Sequence, residues 1–319
     1  MAPGKPVNLF LALTVRSKSP KTVVILAGGL GSRYNGLKQT DALLPTGETL
    51  LEFSIFDAIQ AGFDKFVLIV NPNIAQEYIE RLGRIGIKKK VEMHFVPQEM
   101  DGFLPDEYID IGKERSKPWG TGHAVLTAKL VVNEPFVVIN ADDFYGRSSY
   151  MKIQESISGD VIKNNRYEMI AFPVNTTLSE NGPVSRGVCT LDDQQNLIEV
   201  VEHTRIKRQG SQIISETETG NVVLKENILV SMNFWCFHPS VFDFLQEEFL
   251  RFLQQYNVSK SEFYIPAVVQ QLIGSNLIKV KVHQSESQWM GLTYPDDKEV
   301  LKVFLSDEIQ NGKYPSQLW

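Results

Sequence analysis

Cysteine is scarce in this chain: Cys189 and Cys236 are the only two in 319 residues. Two thiols argue against a disulfide framework and against a structural zinc site. Both read as buried thiols in a reducing compartment, and the expected location is cytoplasmic. Long apolar runs are missing as well. No stretch reaches the ~18 residues of a spanning helix, so no membrane partner is expected. Positive charge is in deficit, with 32 Lys and Arg against 38 Asp and Glu and a formal charge of −6. That balance gives a nucleic-acid partner no electrostatic support, and none is expected. Any bound anion must be held by a local cluster. Internal repeats, heptads and low-complexity tracts are absent too. The sequence does not fix the oligomeric state, and a homo-oligomer is compatible with it.

What is present is ordinary for a globular protein, at 43% apolar and 22% charged residues. The length suits one large domain or one domain with an insertion. Residues 1–20 contain a short apolar run, Val7–Val15, behind Lys5. It is short for a signal peptide and no small-residue cleavage site follows, so the segment reads as an N-terminal extension. From Lys21 onwards, β-branched apolar runs alternate with helical stretches. Thr22–Leu26, Lys65–Val70, Val91–Val96 and Phe136–Ile139 read as strands. Leu50–Ala61, Ile74–Leu82 closed by Gly83, and Gly122–Leu130 read as helices. This alternation predicts an α/β fold with a Rossmann-like, mixed but mostly parallel sheet and helices on both faces. After Tyr150 the strands have a more antiparallel look, and Lys207–Glu226 reads as a polar hairpin or loop. The predicted division is an α/β half over 21–147 and an α+β half of the same domain over 148–319, ending in a helix.

Ligands of open parallel sheets sit at the carboxyl ends of strands. Three such ends carry unusual residues. The first is Leu26-Ala27-Gly28-Gly29-Leu30-Gly31-Ser32-Arg33, with Lys38 beyond it. Glycines let backbone N–H groups approach a polyphosphate, and Arg33 and Lys38 supply charge for phosphoryl or nucleotidyl transfer. No Gly-Lys-Ser/Thr closes the loop, so it is not a Walker A motif, and a dinucleotide fingerprint lacks its third glycine. The second is Pro97-Gln98. The third is Asn140-Ala141-Asp142-Asp143, where a carboxylate is placed either to cap a turn or to hold Mg²⁺. Pro118-Trp119-Gly120-Thr121-Gly122-His123 opens a helix with a turn against which a base or ribose can lie. His123 reads as structural or catalytic. Glu202, at the end of the strand Leu197–Val201, is a solvated carboxylate or an acceptor for sugar hydroxyls. Asn233 is a polar residue in an apolar run, which either knits the core or meets a ligand.

Together these residues resemble the sugar-nucleotide pyrophosphorylases, nucleotidyltransferases that join an NTP and a sugar 1-phosphate. The resemblance runs from about Val23 to the C-terminal helix. The Gly120–His123 run, the Glu202-His203 pair and Glu262-Phe263-Tyr264-Ile265 look like those of the bacterial N-acetylglucosamine-1-phosphate uridylyltransferases. Asn140–Gly146 is similar to the metal-aspartate segment of the thymidylyltransferases. The resemblance implies a fold of the nucleotide-diphospho-sugar transferase type, Mg²⁺ as cofactor, and an NTP and a sugar 1-phosphate as small-molecule partners. It implies that Leu26, Ala27 and Gly28 frame the base, with Gly29 and Gly31 completing the nucleotide loop. Gln98 would read the base edge, and Gly120 and Thr121 would flank base and ribose. Arg33 would grip the pyrophosphate, Lys38 the reacting phosphates, and Asp142 the metal. Gly187, Glu202 and Asn233 would seat the sugar.

Two departures stand out. The family's late metal ligand, often in a Trp-x-Asp setting, falls on Trp289-Met290-Gly291, which offers no ligand at its third place. Asp296 and Asp297 are the candidate substitutes. The segment Glu99–Lys117 is long and acidic, and reads as a lid over the base. The ending Gly291–Asp297 looks more like the cytidylyltransferases of isoprenoid synthesis, which keeps an alcohol phosphate acceptor as an alternative. A non-catalytic nucleotide-sugar-binding paralogue is the other alternative.

Overall fold

The computed structural model describes residues 19–28, 42–74, 76–217, 220–255, 258 and 261–319. In chain order its elements are β1 (Thr22–Ala27), α1 (Leu50–Gln60), β2 (Lys65–Val70), α2 (Gln76–Lys89), β3 (Glu92–Pro97), α3 (Ile109–Glu114), α4 (Thr121–Thr127), β4 (Phe136–Asn140), β5 (Asp143–Phe144) and α5 (Arg147–Ser158). They continue with β6 (Arg166–Pro173), β7 (Val184–Leu191), β8 (Leu197–Gln209), β9 (Gln212–Thr217), β10 (Gly220–Leu224), β11 (Leu229–Phe237), α6 (Val241–Leu253), α7 (Ile265–Gly274), β12 (Lys279–Gln284), β13 (Met290–Gly291) and α8 (Asp297–Gln310). Among the described residues no helix is long and apolar enough to cross a membrane.

β1 lies inside the sheet because its residues are apolar on both faces. It pairs in parallel with β2 on one side and β4 on the other, and β2 pairs in parallel with β3. Its pleat divides the interior in two. Val23, Ile25 and Ala27 join one core with α1, α2 and α5, while Val24 joins a second core with α4, α6 and α7. Helices therefore cover both faces, as the alternating pattern predicts. A third cluster sets α8 and the C-terminal Tyr314 and Leu318 against the outer side of α1. This explains why α1 is buried from Leu50 to Ala58, its buried Glu52 and Asp57 being paired with Arg81 and Arg147.

Gly83 does not close the second helix. α2 runs through both Gly83 and Gly86 to Lys89. At Gly86 a Cβ would stand 2.7 Å from Met93 Cγ, so glycine serves close helix–strand contact there. The stretch Glu99–Lys117 holds a short turn and α3. Phe103, Leu104, Tyr108 and Ile111 pack onto the second core, so the segment is anchored to the body.

The feature that positions the site is a split in the sheet. β11 pairs along one edge with β6, which in turn pairs with β12. Its other edge is shared by two strands in succession. Val230 and Ser231 pair with Val188 and Gly187 of β7, and Trp235 to Phe237 pair with Val138 to Phe136 of β4. β4 ends and β7 begins at the intervening residues, so the two strands diverge and open a cleft. Beyond β7 the sheet continues antiparallel through β8, β9 and β10. At the cleft β11 bulges: Ser231 and Phe234 oppose consecutive residues of β6, leaving Met232 and Asn233 as extra. Asn233 takes φ +59°. A bulge re-aims a side chain, and Asn tolerates the left-handed region better than most residues.

Candidate active site

On the parallel side, β1 ends at Ala27 and runs into Gly28. A Cβ on Gly28 would lie 2.9 Å from Gln98 Oε1, so a side chain there would displace the glutamine amide. Gln98 follows β3 and is 5% exposed. Its amide Nε2 lies 3.2 Å from both Gly120 O and His123 Nδ1. His123 Nε2–H donates to Gly102 O at 2.8 Å. Burial, assisted by the Arg115 charge and opposed by the Gly102 bond, pulls the His123 pKa down to about 4. The neutral ring thus accepts at Nδ1 and donates at Nε2, and its role is to orient Gln98. Of the two readings of His123, the structural one holds.

Gly120 adopts φ +111°, and a Cβ there would stand 2.7 Å from Phe263 O. The close approach is a short ladder: Phe263 N–H donates to Trp119 O and Gly122 N–H donates to Phe263 O. Thr121 Oγ1 accepts from Ile265 N–H at 3.1 Å, tying the start of α4 to that of α7. Trp119 is locked by a bond from its indole N–H to Met100 O at 2.7 Å and by Arg115, whose guanidinium lies 4.0 Å from its ring centroid.

The split itself opens into a cavity of about 1130 Å³. Its walls bring together Thr121, Asp142, Gly187, Glu202 and Asn233, five residues singled out from the sequence, together with Asp143. Leu26–Gly28 and Gln98 stand at the neighbouring strand ends, and Gly120 caps the start of α4. Gly29, Gly31, Arg33 and Lys38 lie outside the described residues.

The cavity floor is acidic. Asp143 is 7% exposed and begins β5. Asn140 Nδ2 donates to its Oδ2 at 2.9 Å, and the Tyr145 hydroxyl lies 3.1 Å from the same oxygen and 2.8 Å from Met232 O. Burial, and secondarily the charge of Asp142, push the Asp143 carboxyl up to about 7, against the pull of Asn140, Arg186 and Tyr145. Glu202 does not end a strand. β8 continues to Gln209, and Glu202 sits in mid-strand directly opposite Gly187. A Cβ on Gly187 would stand 3.0 Å from Val200 Cγ2 and 3.3 Å from Ser231 Cβ, so the glycine serves close strand packing next to the Glu202 carboxylate. Desolvation by the walls raises the Glu202 pKa, and Arg186 opposes it. Asn233 Oδ1 accepts from the Trp235 indole N–H at 3.3 Å, which steadies the bulged amide.

Arg186 is the residue that sequence reasoning missed. It is 7% exposed, donates to Ser185 O at 2.8 Å and to Thr177 O, and stacks 4.8 Å from the Trp289 ring centroid. Among the described residues lining the cavity it is the one cation. Its only sequence signal was a charge inside the otherwise buried strand β7. The two candidates for a late metal ligand lie elsewhere. Asp297 accepts from the backbone N–H groups of Thr293 and Tyr294 and from Ser179 and Asn181 side chains, which commits it to the turn before α8. Asp296 is exposed, and neither lines the cavity.

Residues 22–291 match the Nucleotidyl transferase family. The chain belongs to that family. This nucleotidyltransferase is 27% identical, over 184 residues, to the bifunctional protein GlmU of Methanocaldococcus jannaschii, a match covering 56% of this chain and 35% of that one. The chain spans less than half the length of the curated relatives it matches. Among solved structures, the nucleotidyltransferase is similar to a Bacillus anthracis protein assigned as a glucose-1-phosphate thymidylyltransferase, in complex with a sucrose. The TM-score is 0.61 at 13% identity, over 90% of this chain and 96% of that one. It is also similar to the inositol-1-phosphate CTP transferase of T. maritima, with TM-score 0.57 at 13% identity over 91% and 97% of the two chains. At such identities the likeness establishes the fold alone, a mixed α/β sheet covered by helices.

Proposed function

We propose that this nucleotidyltransferase joins an NTP and a sugar 1-phosphate, giving an NDP-sugar and pyrophosphate, with Mg²⁺ as cofactor. The observation that carries the reading is the cavity at the sheet split. It gathers Asp142, Glu202, Gly187 and Asn233 beside the strand ends that bear Gly28 and Gln98 and the α4 cap Gly120. Carboxylate, amide and an open glycine facing one cavity suit a polyhydroxylated acceptor, since ionised carboxylates accept hydroxyl bonds strongly.

The donor set fits the cation. Two carboxylates, Asp142 and Asp143, line the cavity from one strand end, and Mg²⁺ is usually held by one or two carboxylates plus phosphate oxygens. Among the described residues no group of three or more His, Cys, Asp or Glu forms an all-protein cage. The bound cation would neutralise charge on the phosphates as they react. An oxygen of the sugar phosphate attacks the α-phosphorus of the NTP. The bond from that phosphorus to its bridging oxygen breaks, and pyrophosphate leaves in line with the electron pair. This chemistry needs no covalent enzyme intermediate and is mainly a matter of positioning and charge. Leu26–Gly28, Gln98, Gly120 and Thr121 would seat the nucleoside. Glu202, Gly187 and Asn233 would orient the sugar. Arg33 is assigned to the departing pyrophosphate and Lys38 to the reacting phosphorus. Loss of either cation by alanine substitution is expected to lower kcat by about 10²-fold or more, as for a lost transition-state donor.

The test is pyrophosphate release with Mg²⁺, crossing UTP, CTP, dTTP, GTP and ATP with a panel of sugar 1-phosphates and alcohol phosphates. Release that needs both an NTP and a sugar 1-phosphate is the expected result. A second reading, a cytidylyltransferase acting on an alcohol phosphate, draws support from the likeness to the inositol-1-phosphate CTP transferase fold. Release confined to CTP and an alcohol phosphate would establish it instead.

A further inference from the structure

We propose that Asp143 supplies the second carboxylate of the cation site, in place of a residue late in the chain. The inference rests on the Mg²⁺ reading above and concerns which side chain completes it. β5 and β13 form an isolated two-stranded antiparallel ladder in which Gly291 stands directly opposite Asp143. Side chains on opposed residues of such a ladder lie about 5 Å apart and share one space, so a carboxylate can reach one point from either strand.

In this chain that space is filled from the β5 side. A Cβ built on Gly291 would stand 2.8 Å from Asp143 Oδ1 and would run into the Trp289 ring. The glycine is thus the cradle that admits the Asp143 carboxylate. The carboxylate is also held in place. Its Oδ2 takes the Asn140 amide at 2.9 Å and faces the Tyr145 hydroxyl at 3.1 Å, and that hydroxyl accepts from Asn140 N–H at 3.1 Å. Ser54 Oγ donates to the Asp143 carbonyl at 3.0 Å, fixing the backbone. Such supporting bonds are what orient a metal ligand. Oδ1 is the oxygen turned toward Gly291. The late carboxylates offer no competition, because Asp297 is committed to four hydrogen bonds and Asp296 is exposed. The charge expected at position 291 has moved across the ladder to position 143.

The experiment is Mn²⁺ binding to the full chain, read from the loss of the free-ion EPR signal and competed with Mg²⁺, with no substrate turnover involved. The wild type is expected to bind, and Asp143→Asn to bind at least tenfold more weakly. Gly291→Ala should also weaken binding, although it removes no charge, because the added methyl displaces Oδ1. It decides the matter if Asp143→Asn does not fold. Asp297→Asn should leave Mn²⁺ affinity unchanged. Wild-type binding that survives both the Asp143→Asn and Gly291→Ala changes would overturn the assignment alone, as would a loss specific to Asp297→Asn. A wild type that binds no Mn²⁺ would overturn the Mg²⁺ reading along with it.

Discussion

The parallel strands β4, β1 and β2 are sealed between helices, whereas the antiparallel arm leaves Val201 at 43%, Val222 at 42% and Val223 at 57% exposure. The two regions also shape the cavity and its surroundings by different means. On the parallel side the work falls to backbone: Gly28 makes room for Gln98, Gly120 for Phe263, and a neutral His123 sets the glutamine amide. On the antiparallel side it falls to charged and amide side chains held in mid-strand, namely Arg186, Glu202 and the bulged Asn233. A base is flat and can be received by close-packed backbone. A sugar carries hydroxyls in several directions and needs separate polar groups. The two regions meet at Asp142 and Asp143, where β4 ends.

The largest effect should come from that junction. Asp142→Asn is expected to lower metal-dependent kcat by about 10²-fold or more, with an unchanged circular dichroism spectrum. Steady-state pyrophosphate release checks it, and normal turnover would detach the junction from the chemistry. The next effect tests the backbone side. Gly120→Ala forces a Cβ into φ +111° and onto Phe263 O, and should destabilise the fold by about 2 kcal/mol in denaturant unfolding. A neutral result would mean that the Trp119–Phe263 ladder is not rigid.

On the side-chain face, Asn233→Ala removes both the amide and a residue suited to φ +59°. KM for the acceptor should rise about tenfold with the KM for NTP unchanged, the size expected of one hydrogen bond left unmade. Asn233→Gly keeps the bulge and separates the amide from the conformation. If it behaves as wild type, Asn233 shapes the strand and does not touch the acceptor.

The last effect is in pH dependence. The folded His123 pKa, about 4, lies below the ordinary 6.5. The stability this contributes is fully present above pH 6.5 and is lost as the pH falls toward 4. His123→Gln removes the contribution, so the stability gap between wild type and variant should narrow as the pH falls through that window. A gap independent of pH would show that the ring is not buried neutral.

Legibility followed the same division. The inner strands of the parallel half, β1, β2 and β4, were readable because both their faces are buried and their residues are largely apolar. Glu202 shows the other case. Its strand is half-exposed, and the polar residues after Val201 looked like an ending although β8 continues for eight further residues, to Gln209. Gly83 misled for a related reason: a glycine in a helix signals an end only when no packing holds the helix together. Arg186 left almost no trace, because what makes it part of the site is Trp289, which lies about a hundred positions away in the chain.

The sequence by itself determined the alternation of strand and helix, the three strand ends with unusual residues and the types of residue that stand on them. These depend on periodicity and on local chemistry, which a short window contains. Only the tertiary structure decided that β4 and β7 divide one edge of β11, that the bulge points Asn233 into the cleft, and that Gly291 stands across from Asp143. Register and partner choice are non-local, set by which apolar faces close against one another, and no local window carries that information.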